Sequence, residues 1–337
     1  MRASSPWKTH FPQYSERRPS PPAPLPNGEG RFARRAFVAT HGIAFVLAAL
    51  FLPACRGVPP GPQPPPTVAL KMPQEAMFPS LKLNDDLFKT LKPSNDRDWT
   101  PEQAKLAQAE FNGRKVTVHN IRDCQWRTLD DFTMSYYNKT FDLRKLRSVD
   151  FIVVPFNETP KLGHTMLSFG FEGDDYLAVS IEIRRERGER YNAIAGFFQQ
   201  YELIYVVASE HDVIQRRVNC DLSDVYVYRS TATPEQAQDL FTDVMRRVNK
   251  LAKEPEFYDT LTNNCTTNIR NHVNHLKPDE VPYDYRVLLP GYSDKLAYDL
   301  GLIERHGSYE ETRLRARVNY QAYLHRDDPN FSREIRR

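Results

Sequence analysis

The chain has 337 residues, 40% hydrophobic and 12% aromatic, with a formal net charge of +3. That length holds one large domain or two modest ones; the near-neutral charge gives no pull toward nucleic acid, and this aromatic content excludes disorder of the central region. The four cysteines, Cys55, Cys124, Cys220 and Cys265, show no CxxC spacing, which excludes a disulfide scaffold and structural zinc.

Residues 1–30 are proline-rich without hydrophobic period and read as a disordered lead. Residues 31–55 come next as a signal: Arg31, Arg34 and Arg35 make a positive start, and Ala36 to Ala54 is apolar apart from Thr40 and His41. The run closes on Leu52-Pro53-Ala54-Cys55, which resembles the lipobox of bacterial lipoproteins, with Cys55 as the residue to be lipidated. Cleavage without lipid and an uncleaved single anchor are the alternatives. All three export the downstream chain to the cell envelope, the last and the lipidated form membrane-anchored. Residues 56–94 form a proline-rich, semi-rigid tether. Residues 95–325 are the expected catalytic domain, and 326–337 an Arg-rich, solvated tail.

Within that domain Thr100-Pro101-Glu102-Gln103 has the form of a capping box with proline at the first helical position, and Ala104, Ala107 and Phe111 continue at helical spacing up to Asn112-Gly113. Lys115 to Ile121 alternates like a strand, and the charged segment Arg122 to Arg127 reads as a surface turn or a lip of the site. Val149 to Phe156 is a central strand. Leu162 to Phe171 and Tyr176 to Arg184 form a hairpin turning at Gly173, and the register that buries both apolar faces sets His164 across from Glu182. Tyr201 to Ala208 and Val225 to Tyr228 add two strands. Thr233-Pro234-Glu235-Gln236 repeats the capping box and opens a helix with Ala237, Leu240, Phe241, Val244, Val248 and Leu251 on one stripe. Asn263 or Asn264 then caps a helix that starts at Cys265 and carries Ile269, Val273 and Leu276 as a buried stripe. Residues 278–292 are turn-rich and aromatic, wrapping the site or the core. The order of elements predicts an α+β domain with a mostly antiparallel sheet packed on helices.

A thiol in the first turn of a helix feels the positive end of the helix dipole, which favours the nucleophilic thiolate. The commoner role of such a cysteine is a small buried apolar residue. A thiolate needs a base to take its proton and return it to the leaving group; His164 is the candidate, with Glu182 to orient the ring. Backbone N–H groups at the helix start and the Asn264 amide would hold an oxyanion, with Arg184 as support. Glu182 pairing with Arg184 or Arg185 on a solvated face is the duller alternative. His272 and His275 lie one turn apart, but no third ligand accompanies them, and no metal or cofactor is expected. Cys124 and Cys220 are candidates for a disulfide, since an exported domain meets an oxidising compartment.

Four ordered motifs, Gly163-His164-Thr165-Met166-Leu167-Ser168-Phe169, Val179-Ser180-Ile181-Glu182-Ile183-Arg184-Arg185-Glu186, Tyr201-Glu202-Leu203-Ile204-Tyr205 and Thr262-Asn263-Asn264-Cys265-Thr266, resemble the bacterial DUF4105 family, the Lnb N-terminal periplasmic domain. The resemblance covers about residues 95–305. It implies a permuted papain-like (NlpC/P60-related) fold with histidine before cysteine, His164 and Cys265 matching the family's pair. It also implies acyl transfer through a thioester, moving a fatty acyl chain onto a lipoprotein's amino terminus. The expectation is therefore an envelope-anchored thiol acyltransferase or hydrolase acting on a lipid or lipoprotein. A cysteine peptidase or amidase on peptidoglycan peptides and a non-catalytic binding lipoprotein are the alternatives.

Overall fold

The computed structural model describes residues 92–189 and 201–337. The proline-rich lead, the signal segment with Cys55 and nearly all of the tether lie outside the described residues, and none of the described helices is long and apolar enough to cross a membrane.

The strands are β1 (Gln108–Asn112), β2 (Lys115–Arg122), the short pair β3 (Gln125–Trp126) and β4 (Phe132–Thr133), β5 (Tyr136–Asp142), β6 (Leu146–Pro155), β7 (Gly163–Phe171), β8 (Asp175–Arg184), β9 (Glu202–Ser209) and β10 (Tyr226–Arg229). The helices are α1 (Glu210–Gln215), continued by a π-turn over Arg216–Cys220, α2 (Pro234–Lys253), α3 (Cys265–Leu276), α4 (Tyr285–Leu288), α5 (Ser293–Asp299), α6 (Tyr309–Ala316), α7 (Asn319–Leu324) and α8 (Phe331–Glu334). The main sheet runs β1-β2-β9-β8-β7-β6-β10, with β5 paired to β2. Every pairing is antiparallel except β2 with β9, which meet in parallel at Arg122 and Ala208. The expected α+β class with a mostly antiparallel sheet is therefore what the chain adopts.

Alternation along the strands sorts the core into two layers. Leu167, Phe169, Phe171, Val179, Ile181 and Tyr205 face α2 and α3, where Phe241 sits edge-on to Phe169 at 5.1 Å between ring centroids. Ile152, Val154, Met166, Ala178, Ile204 and Val206 face the other way, onto Val213 and Ile214 of α1 and Phe331 of α8. The two capping-box signatures part company. Thr233 caps α2 as expected: its hydroxyl accepts from the Gln236 N–H and the Gln236 side chain accepts from the Thr233 N–H. Thr233→Ala should therefore lower the free energy of unfolding by about 1 kcal/mol, read as a shifted urea midpoint at unchanged slope. At Thr100 the expected long helix is replaced by a single 3-10 turn over Pro101–Gln103 without a side-chain cap, and residues 108–112 are strand. The reason is tertiary: Gln103 spends its amide on the end of β8, donating to the Ile183 carbonyl at 2.8 Å and accepting from the Arg185 N–H at 2.8 Å.

The carboxyl-terminal residues correct a second expectation, since they are packed and not solvated. Phe331 and Ile335 are buried, and Arg336 donates to Asp150 at 2.7 Å and to Glu210 at 2.8 Å. Further in, Gly291 touches the loop before β7 so closely that a Cβ there would lie 1.9 Å from the Pro160 carbonyl, and its N–H donates to the Lys161 carbonyl. That contact fixes residues 290–292 over the start of β7.

Candidate functional site

β7 and β8 pair from Phe171–Asp175 to Met166–Ser180 around the turn at Gly173, whose φ of +83° suits glycine. Extending that register sets His164 opposite Glu182, as the apolar faces require. The contact runs through a hydroxyl. Nε2 of His164 lies 2.7 Å from the Ser180 Oγ, which donates its proton to Glu182 Oε1 at 2.7 Å, and imidazole and carboxylate are 3.9 Å apart. Because the Ser180 proton goes to the carboxylate, Nε2–H must be the donor to Ser180, which leaves Nδ1 as the acceptor. Burial and the neighbouring guanidinium of Arg217 push the His164 pKa down to about 3, so the ring is neutral across the physiological range. Burial opposes ionisation of Glu182, but Arg217 at 2.9 Å, with Arg216, holds its pKa below the usual carboxylate range. Both arginines come from the π-turn after α1, on the second face of the sheet.

Cys265 sits on the first face. Asn264 caps α3, its Oδ1 accepting from the Thr267 N–H at 2.8 Å while Thr267 Oγ1 accepts from the Asn264 N–H. The other half of that amide is also committed, since Nδ2 donates to the Thr260 carbonyl at 2.6 Å. Its expected oxyanion role is therefore replaced by capping and loop-tying. Cys265 is 2% exposed and shares its cluster with Leu167, Val179 and Ile181; its sulfur lies 3.8 Å from the Thr266 hydroxyl. Thr266 in turn meets Thr165 of β7 at 3.1 Å. Since Thr165 faces α3, its neighbour His164 points through to the opposite face. The structure thus brings His164 and Glu182 together but does not bring either to Cys265. The seam between β7 and β8 is unpaired beyond Met166–Ser180, although both strands continue.

Arg184 supports neither centre. Its buried guanidinium stacks 4.1 Å from the Trp99 ring and donates to the carbonyls of Gln103 and Ala104, tying down residues 95–104. Nor does Glu182 pair with Arg184 or Arg185 on a solvated face. Arg122 to Arg127 is likewise not a surface turn: Arg122 is buried and bidentate on Asp212 at 2.7 and 3.0 Å, and Trp126 donates to the same carboxylate. Cys124 and Cys220 are free thiols, so the expected disulfide does not form, and burial beside Asp212 pushes the Cys124 pKa up to about 12.

The sequence reading missed a second imidazole centre on the Cys265 side of the sheet. His272 Nδ1 lies 2.7 Å from Asp243 and its Nε2 2.9 Å from the Tyr205 hydroxyl, which donates to Asn268 Oδ1. His275 shares Asp243 at 2.8 Å. The hydrogen bond from His272 holds Asp243 below its usual pKa. Asp243, Asn268, His272 and His275 line a polar pocket of about 570 Å³ with Arg246, Arg247 and Lys250. The signal was present: Cys265, Asn268 and His272 at i, i+3 and i+7 share one helix face.

On the other flank of α3 lies an apolar cavity of about 340 Å³, at the lower end of the roughly 300–1,000 Å³ usual for ligand pockets. Val149, Phe151 and Leu167 of the sheet, Leu240 of α2 and Thr266, Ile269, Val273 and Leu276 of α3 wall it, closed by Val287, Leu296 and Ile303. The stripe expected to be buried in the core thus faces this space, and Leu276 is 42% exposed at its end. The family model described as Lnb N-terminal periplasmic domain matches residues 132–291, a span holding His164, Glu182 and Cys265. No curated protein and no solved structure matches the chain.

Proposed function

From the match of residues 132–291 to the Lnb N-terminal periplasmic domain family model, we propose that the chain is an envelope-exported, cysteine-dependent acyltransferase or hydrolase acting on a lipid ester or amide. The apolar cavity carries the reading. Thr266, one residue beyond Cys265, is part of its wall, so the cavity reaches the first turn of α3. In the reaction the thiol yields its proton to His164 Nδ1, the thiolate attacks the acyl carbonyl, and the tetrahedral oxyanion is held by N–H groups of the first turn of α3. The imidazolium then protonates the leaving oxygen or nitrogen, and the thioester passes its acyl group to an amine or to water. Because His164 and Cys265 stand on opposite faces, this sequence requires the start of β7, paired to β6 through Gly163–Pro155 and His164–Val154 but not to β8, to move and bring Nδ1 through the β7–β8 seam. Apolar walls suit a hydrocarbon and do not suit the charged stem peptides of the peptidase alternative.

The second reading is a binding domain that holds an acyl chain without turning it over. The burial of Cys265 and the fastening of His164 to Ser180 favour it. A long-chain alkyl electrophile separates the two. In the enzyme it labels Cys265, and His164→Ala slows labelling at least tenfold. Equal labelling of wild type and His164→Ala removes the pair, and a bound chain with no labelling at all leaves the binding domain.

A further inference from the structure

Tyr283 and Tyr285, in the segment that follows α3, are 63% and 62% exposed. Each is backed by a guanidinium, Arg270 at 5.5 Å from the Tyr283 ring and Arg286 at 5.8 Å from that of Tyr285. Arg270 also lines the apolar cavity, as do Leu276 and Lys277, which reach the surface. At Tyr283 the rim therefore continues through Arg270 into the cavity wall.

We infer that Tyr283, Tyr285 and Leu276 form a lip that docks on the interfacial layer of a zwitterionic lipid bilayer, with the cavity mouth turned toward the acyl chains. Tyrosine has an apolar body and a polar tip and collects at the membrane–water boundary, where a guanidinium beside it meets phosphate. Lys277 pairs with Glu280 and Arg286 with Asp284, so that with Arg270 the rim carries only a small positive charge, which fits a zwitterionic surface better than a strongly anionic one. A bilayer also joins the two ends of the chain's chemistry: the apolar run from Ala36 to Ala54 reads as an export signal or anchor, and the cavity accepts hydrocarbon. With the mouth on the membrane, an acyl chain moves from lipid to cavity without exposing its methylenes to water. The inference rests on the acyl reading of the cavity.

The test uses the full chain carrying Tyr283→Trp or Tyr285→Trp, mixed with phosphatidylcholine vesicles whose acyl chains are brominated close to the headgroup. Phe111→Trp, on the edge strand β1, is the reference, so the native tryptophans contribute equally. Quenching in the two lip variants should exceed that in the reference at least twofold, with little change between low and high salt. Equal quenching in all three overturns the docking. Displacement of a fluorescent fatty acid from the same proteins keeps the two ideas apart. Chain binding with equal quenching removes the lip alone, whereas no chain binding removes the acyl reading while the quenching still decides the lip.

Discussion

Replacing Arg122 by methionine should lower the free energy of unfolding by about 3–5 kcal/mol, the usual result of stranding one member of a buried ion pair. Asp212 is fully buried and collects four donors: Arg122 Nε and Nη2, the Cys124 N–H and the Trp126 indole. Without the guanidinium it keeps a charge that two neutral donors do not offset. The position matters as much as the pair, because Arg122 is where β2 meets β9 in the sheet's one parallel contact. Its Nη1 also donates to the Glu102 carbonyl, so the same side chain fastens the turn at 101–103. Arg122→Met combined with Asp212→Leu should recover part of the loss, since the uncompensated charge is removed while the Cys124 N–H and the Trp126 indole lose their acceptor. Urea unfolding of the three proteins decides it. A loss below about 1 kcal/mol in the single variant would mean that water reaches Asp212 and that the knot does not clamp the sheet.

That knot also marks where the sequence stops being legible. The hairpin β7–β8 and its register were readable because alternation and a tight turn leave one pairing that buries both apolar faces. The His164–Glu182 relation comes from that alone. Helices α2 and α3 were readable because their caps and stripes are local. Alternation states which residues share a face, but not which face a helix arriving a hundred residues later will cover. The polar face of β7 looked like the site because it carries His164, yet α3 packs on Thr165 and Leu167, and Cys265 goes with it. The capping box at Thr100 misled for a related reason: Gln103 is taken by β8, a partner about eighty residues away. Arg122, Arg184 and Arg336 each resemble surface charges in sequence and become buried anchors only when Asp212, the carbonyls of 103–104, and Asp150 with Glu210 are brought to them.

His164 should give the protein a pH dependence that begins above the range where carboxylates titrate. Its folded-state pKa of about 3 lies below the ordinary value of 6.5, so the unfolded chain binds a proton through an interval in which the folded protein refuses it. The stabilisation is fully present above about pH 6.5 and is lost as pH falls toward 3, at up to about 1.4 kcal/mol per pH unit. Glu182 is depressed too, but its share is lost only below the ordinary Glu value of 4.5. Between pH 6.5 and 4.5 the histidine is therefore separable, with an expected loss of about 2–3 kcal/mol. His164→Asn keeps a donor for Ser180 and cannot titrate, so its stability should be flatter over that window when unfolding free energies are compared at matched ionic strength. Parallel profiles for the two proteins would show that the imidazole is already solvated and free to charge. A flatter variant would establish a ring that stays neutral in the folded state, which is the protonation state a base for Cys265 must have before β7 moves.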